Sequence, residues 1–71
     1  MKNSAAYLRE RLSTREHEVL SLIGSGSSRE EIAKTLGISK LTYDGYRKSI
    51  RNKLDIKNQS DWAVVLSNFI K

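Results

Sequence analysis

Two segments of the sequence carry the same helix-start signal, a serine followed three residues later by a glutamate. Ser13 precedes Glu16 in this way, and Ser28 precedes Glu31. In such a pair, each side chain bonds a backbone N–H that the first turn of a helix leaves without a partner. Apolar residues at helical spacing follow both pairs. The sequence therefore predicts a helix over 14–24 and a second, shorter helix of about two turns that starts after Ser28.

Two further helices are predicted after Gly37, a residue suited to the left-handed turn that closes a helix. Ser39 is a candidate N-cap for a third helix over about 40–54, and Asn58 with Asp61 opens a fourth. The residues expected to face the core in the third helix are Tyr43, Tyr46, Ile50 and Leu54. Those expected in the fourth, against the first helix, are Trp62, Ala63, Val65, Leu66, Phe69 and Ile70. The fold class is thus all-α, with four helices.

The composition excludes several kinds of site. The 71 residues include no cysteine and one histidine, His17. Disulfides and thiolate zinc sites are therefore ruled out, and no second imidazole is present for a metal cluster or a nucleophile–histidine pair. We expect no catalytic residue, no metal, no cofactor and no enzymatic activity. His17 is interpreted as an exposed residue of the first helix without a function.

The organisation of the chain is that of one small domain. Residues 1–11 are interpreted as a partly ordered N-terminal arm, and residues 12–71 as the domain. No apolar run approaches the 18 or more residues that a membrane helix needs, and the N-terminus lacks the apolar stretch of a secretory signal. We therefore expect a cytoplasmic protein that makes no membrane contact.

Positive charge is concentrated in one part of the chain. The formal net charge is +5, and residues 39–57, with six Lys and Arg against two Asp, hold four of these five charges. Two helices joined by a short turn, the second longer and cationic, are typical of a helix-turn-helix. If the apolar residues of the third helix face the core, its opposite face carries Lys40, Asp44, Arg47, Lys48 and Arg51. Such a face suits phosphates and the major groove of duplex DNA.

Four segments, in this order and at this spacing, resemble the LuxR-type (GerE-like) helix-turn-helix domain of bacterial transcription regulators. They are LSTREHEVL at 12–20, GSSREEIA at 26–33, LGISKLT at 36–42 and IRNKL at 50–54. The resemblance covers about residues 12–70. It implies a four-helix fold, transcriptional regulation, binding to double-stranded DNA and homodimers whose contact runs through the last helix.

The third helix departs from the family pattern at its centre. The family commonly has Thr-Val-Lys-x-His there, and this chain has Thr42, Tyr43, Asp44, Gly45 and Tyr46. Asp44 is repelled by phosphate, so it either accepts a hydrogen bond from a donor such as the cytosine amino group or pairs with Lys40 or Lys48 of its own helix. Gly45 has no side chain to read a base, but it allows a close backbone approach. Tyr43 either takes extra core volume or leaves its ring partly outside.

Two sets of candidate site residues follow. The expected DNA contacts are Ser28, Lys40, Thr42, Asp44, Gly45, Arg47, Lys48, Arg51, Lys53 and Lys57, with Ser28, Lys53 and Lys57 as flanking phosphate contacts. The expected dimer contacts are Ser60, Val64, Ser67 and Asn68. A regulator of this kind is nucleoid-associated when it is bound to DNA, and RNA polymerase is a candidate partner. The alternative function is a protein-interaction module on the same fold that has lost sequence-specific DNA readout.

Overall fold

Four α-helices lie between residues 14 and 70 of the part of the chain that the structure describes. The computed structural model describes residues 10–70, with side chains as far as Ser67. The helices are α1 (Thr14–Gly24), α2 (Arg29–Leu36), α3 (Lys40–Leu54) and α4 (Gln59–Ile70), and these residues include no strand. The predicted all-α, four-helix fold is confirmed. Residues 1–9 of the predicted arm lie outside the described residues, so the division at residue 11 stays a prediction.

Both predicted capping boxes are present. The Ser13 hydroxyl accepts the Glu16 N–H at 3.2 Å, and the Ser13 N–H donates to the Glu16 carboxylate at 2.8 Å. In the second box, the Ser28 hydroxyl accepts the Glu31 N–H at 3.1 Å, and the Ser28 N–H donates to the Glu31 carboxylate at 2.8 Å. These backbone and side-chain hydrogen bonds of Ser28 lower the pKa of the Glu31 carboxyl. Each box satisfies N–H groups on both sides of its helix start, so the starts of α1 and α2 are encoded locally.

The starts of α3 and α4 also rest on short polar side chains. The Ser39 hydroxyl accepts the Thr42 N–H at 3.0 Å. The Asn58 side chain accepts the Asp61 N–H at 2.9 Å, and the Asp61 carboxylate accepts the Lys57 N–H at 2.9 Å. The carboxylate thus reaches one residue further back than in a standard capping box.

A three-residue turn joins α2 to α3. Gly37 takes the left-handed conformation, with φ of 67°, as its position after α2 predicts. The Ile38 N–H then donates to the carbonyl of Ala33 at 2.9 Å, and the chain re-enters a helix after Ser39. This turn sets α3 against α2 as the second helix of a helix-turn-helix.

The core lies where α1 packs against the other three helices and α3 packs against α2. Its buried apolar side chains are Leu12, Val19, Leu20, Ile32, Tyr43, Ile50, Leu54, Ile56, Trp62 and Val65, with Leu66 and Tyr46 partly buried against them. The sequence left open whether the Tyr43 ring takes core volume or lies partly outside. Tyr43 is 3% exposed, so its ring lies in the core.

Two core-related predictions are wrong. Ala63 is exposed, because it lies about 100° around α4 from Trp62 and its methyl group is too short to reach α1. His17 is half-buried, because α1 has packed neighbours on several sides. The predicted core roles of Phe69 and Ile70 fall outside the described side chains.

Candidate nucleic-acid interface

The outer face of α3 is its cationic face. Lys40, Arg47, Lys48 and Arg51 are all exposed, whereas Tyr43, Ile50 and Leu54 are buried on the opposite side. Among the described residues, Arg47, Lys48 and Arg51 form no ion pair. With Asp44 and Asn52 they line a shallow groove along the helix. Because the spacing is i, i+3, i+4 and i+7 from Asp44, these side chains form one continuous surface.

Asp44 is paired across the helix-turn-helix and not within α3. Arg29 Nε donates to Asp44 Oδ1 at 2.9 Å, and Arg29 Nη2 donates to Oδ2 at 2.8 Å. The prediction of a partner at Lys40 or Lys48 is therefore wrong, because α2 packs close enough to α3 for a planar guanidinium to bind both carboxylate oxygens. The hydrogen bond raises the pKa of Arg29 and lowers that of Asp44, so both groups stay charged.

Lys40 is also engaged with α2. Its Nζ lies 3.2 Å from Glu30 Oε1, and both side chains are exposed. With the Arg29–Asp44 pair, this makes two ion pairs between the start of α2 and the first half of α3. Since each lysine or arginine there faces an acid, the unpaired positive charge lies toward the second half of α3.

Lys53 lies on the other side of α3, toward α1. Its Nζ donates to Glu16 Oε1 at 2.7 Å, and Ser49 donates to the other carboxylate oxygen. Nine residues at 100° each place Lys53 half a turn from Asp44. Its role as a phosphate contact stays a prediction, and a phosphate would have to compete with Glu16 for the ammonium group.

Glu16 anchors this cluster from α1. Burial alone raises its pKa, but hydrogen bonds from Lys53, from the Ser13 N–H and from Ser49 outweigh burial and lower the pKa to about 2. The carboxylate is therefore charged, buried and fully engaged in holding α1 to α3.

Arg47 is held in place by α4. Its guanidinium carbon lies 4.9 Å from the centre of the Trp62 ring, a cation–π distance. Beside this stack, Arg51 and Lys57 line a second shallow cleft at the start of α4, with Asn58 and Gln59. Lys57 thus lies next to the cationic face of α3, as its predicted flanking role requires.

The remaining predicted DNA contacts are exposed. Ser28 caps α2, and its hydroxyl accepts the Glu31 N–H. The Thr42 hydroxyl accepts a hydrogen bond from the Ser39 hydroxyl at 2.9 Å. An added Cβ at Gly45 meets nothing within 4 Å, so the packing of this chain does not require a glycine there.

The predicted dimer contacts lie on the outer face of α4. Ser60 and Ser67 are exposed, and Val64 is 50% exposed. The side chain of Asn68 lies outside the described residues. Dimerisation through these residues stays a prediction.

Sequence reasoning missed Arg29, Glu16 and Trp62 as partners of α3 residues. Arg29 carried one signal, since a cation in the first turn of a helix is unfavourable next to the positive end of the helix dipole. The other two pairings have no local pattern, because their partners are 15 or more residues apart.

The surface of α3 also carries an apolar side chain, since Leu41 is 80% exposed.

Two other kinds of site find no support in the described residues. No group of three or more His, Cys, Asp or Glu is placed to hold a metal ion. No helix in residues 10–70 combines the length and hydropathy that crossing a membrane requires.

Comparison with known proteins identifies a family of bacterial regulators that shares this sequence pattern. The model of the bacterial regulatory proteins of the luxR family (GerE) matches residues 10–66. Transcriptional regulatory protein MctR of Rhizobium johnstonii is 47% identical over 45 residues, which are 63% of this chain and 21% of that protein. Transcriptional regulatory protein TdiR of Thauera aromatica is 48% identical over 50 residues, 70% of this chain and 22% of that protein.

A longer match has lower identity. HTH-type transcriptional regulator MalT of Vibrio campbellii is 35% identical over 60 residues, 84% of this chain and 7% of that protein. The chain thus spans less than a quarter of each of these relatives. No solved structure matches the chain. The family model covers the helix-turn-helix and most of α4, and the chain therefore belongs to the luxR family of bacterial regulatory proteins, a family of DNA-binding transcription regulators and not of enzymes.

Proposed function

We propose that this chain binds duplex DNA with α3 in the major groove and regulates transcription as a dimer. The observation that carries the proposal is the outer face of α3, where Arg47, Lys48 and Arg51 stand exposed and form no ion pair with the described residues. A helix of 15 residues with such a face fits the width of the major groove.

The charges divide the interface into two parts. Arg47, Lys48 and Arg51 in the second half of α3 supply phosphate contacts, together with Lys57 beside them, because none of the four forms an ion pair with the described residues. The first half is where a helix-turn-helix reads bases, and Thr42, Asp44 and Gly45 lie there. Sequence preference therefore belongs to the first half and non-specific affinity to the second.

Dimerisation is proposed through the outer face of α4. Val64 is half-exposed between the small side chains of Ser60 and Ser67, which allow a second helix to approach closely. A two-fold dimer places two copies of α3 on half-sites about one DNA turn apart, or a multiple of it. The selected DNA sequence is then an inverted repeat.

The test is selection from a pool of random duplexes at two salt concentrations, with sequencing of the retained DNA. We expect an inverted repeat that the variant K48A/R51A no longer retains. Arg15→Ala is the matched control, because Arg15 lies on α1 and its ion pair is with Glu18 of the same helix, at 3.8 Å. If the protein retains DNA without enriching any motif, and this binding disappears near physiological salt, the result contradicts sequence-specific regulation.

A protein-interaction module is the second candidate function, and one observation favours it. Leu41 is 80% exposed on α3, next to ion pairs that neutralise this part of the surface. An exposed leucine on a neutral surface suits a partner protein such as RNA polymerase. Affinity for such a partner changes little with salt, whereas DNA affinity falls as a power of the salt concentration.

A further inference from the structure

We propose that Arg29 reads a guanine in the major groove and that Asp44 is the residue that positions it. This inference rests on the proposed DNA-binding function and names its specificity-determining residue. It moves base readout from Asp44, where the sequence suggested it, to an arginine on the neighbouring helix.

The Arg29 guanidinium has two edges that can donate pairs of hydrogen bonds. Asp44 occupies one edge, since it accepts hydrogen bonds from Nε at 2.9 Å and from Nη2 at 2.8 Å. The other edge, formed by Nη1 and the remaining N–H of Nη2, has no partner among the described residues. The Arg29 and Asp44 side chains are each 47% exposed, so the pair lies at the surface of the protein, where a ligand can approach it.

The second edge of the guanidinium lies beside the first half of α3. Arg29 is the first residue of α2, but its guanidinium is tied to Asp44 on the outer face of α3. Asp44 is the fifth residue of α3, one turn before Lys48. The donor pair is therefore held at the first half of the helix that enters the groove, where base edges are within reach.

The ion pair with Asp44 makes Arg29 better suited to a base than to a phosphate. The Asp44 carboxylate neutralises the charge of Arg29, which removes most of the attraction to a phosphate group. What remains is a pair of parallel N–H donors held in a fixed direction. Guanine presents two acceptors, O6 and N7, that such a fork binds together, and this is the commonest specific contact in DNA complexes. An anchored fork also loses less side-chain freedom on binding than a free one.

The experiment repeats the selection from random duplexes with variants of the pair and measures affinities for the selected duplex and for its single-base variants. Wild type is expected to select guanine at one position of each half-site. Arg29→Ala and Arg29→Lys are expected to lower the preference for guanine at that position by about tenfold or more, with other positions unchanged. Arg29→Lys keeps the charge and removes the fork, so it separates readout from electrostatics.

Asp44 is tested as a positioning residue. Asp44→Asn is expected to weaken the preference at the same position only, and Asp44→Glu to restore part of it. Arg15→Ala is the control that leaves the motif unchanged. All variants are expected to fold, because an exposed ion pair contributes little to stability, and thermal unfolding checks this.

Two results overturn the proposal while the proposed function stands. In one, the selected motif survives Arg29→Ala unchanged. In the other, Arg29→Ala weakens binding to all sequences equally and reduces the slope of log affinity against log salt by about one, which identifies a phosphate contact. If wild type selects no motif at all, the proposed function and this inference both fail.

Discussion

Glu16 is a charged residue in the core, with 4% of its surface exposed. Removing a carboxylate from water costs several kcal/mol unless partners replace the water. Here Lys53, Ser49 and the Ser13 N–H all donate to it. The outcome is a pKa lowered from 4.5 to about 2, so the folded chain prefers the ionised form more strongly than the unfolded chain does. This residue therefore stabilises the fold above pH 4.5, and the stabilisation is lost as the pH falls toward 2.

The first prediction concerns the pH dependence of stability. A depression of this size corresponds to roughly 3 kcal/mol, so the free energy of unfolding is expected to fall by about that amount between pH 5 and pH 2 from Glu16 alone. Glu16→Gln is expected to be less stable than wild type at pH 7 and to approach it at pH 2. Urea unfolding across this pH range measures both. Glu18→Gln is the control, because Glu18 lies on the same helix and its side chain is exposed. If the free energies of unfolding of wild type and Glu16→Gln differ by the same amount at every pH, the assignment to Glu16 is contradicted.

The second prediction separates the structural from the functional reason for Gly45. Apart from its chain neighbours and the backbone of its own helix, no atom of the described residues lies within 4 Å of an added Cβ at this position, so Gly45→Ala is expected to raise the free energy of unfolding by about 0.5–1 kcal/mol. If the backbone approaches DNA closely here, the same methyl group weakens DNA binding. Thermal unfolding and DNA titration of the one variant measure both effects. Unchanged DNA affinity rules out close approach at this position.

The elements differ in how their exposed faces are used. In α3, one face is buried and the opposite face carries cations, so its outer surface suits an anionic partner. In α4, the outer face has no charged residue between Asp61 and Ser67, and Val64 is its large exposed apolar side chain among the described residues. A short apolar surface flanked by serines suits another helix of the same kind and not DNA.

The third prediction tests this use of α4. Val64→Lys is expected to shift the chain from dimer to monomer without loss of helix content, because the side chain is half-exposed in the folded chain. Ala63→Lys is the control, since Ala63 is exposed on the same helix about 100° away. Sedimentation velocity over a range of concentrations measures the association. Identical sedimentation of wild type, V64K and A63K contradicts a dimer through this face.

Across the whole molecule, ion pairing redistributes the net charge of +5. Lys40 and Lys53 are bound to Glu30 and Glu16, and Asp44 is bound to Arg29. Of the cations in residues 39–57, this leaves Arg47, Lys48, Arg51 and Lys57 outside any ion pair with the described residues. Within residues 39–57, the effective positive surface is thus formed by the second half of α3 and by Lys57, just before α4.

The fourth prediction follows from this distribution. If these cations each neutralise one phosphate, the slope of log affinity against log salt is about −4 per bound subunit. The variant K48A/R51A is expected to reduce its magnitude by about two, and Lys40→Ala to change it little, because Lys40 already faces Glu30. Titrations at four or five salt concentrations give the slopes. An equal reduction for Lys40→Ala and Lys48→Ala shows that the internal ion pairs do not govern the interface.

The helix boundaries were predictable because their causes are local. Ser13 with Glu16, Ser28 with Glu31, and the glycine at 37 act within a single turn of chain, where spacing alone determines which groups meet. The exposed cationic face of α3 was predictable for the same reason, since it is the complement of the apolar positions 43, 50 and 54.

Residue spacing along the chain was enough to specify four helices, a helix-turn-helix and the face of α3 that carries its cations. The tertiary structure alone decided which of those charges remain available, because ion pairs such as Arg29–Asp44 and Lys53–Glu16 join residues on different helices. Their formation depends on how α1 and α2 pack against α3, which no spacing along the chain encodes. The position of Arg29 in the first turn of α2 is unfavourable for a cation, but it does not specify a partner 15 residues away on α3.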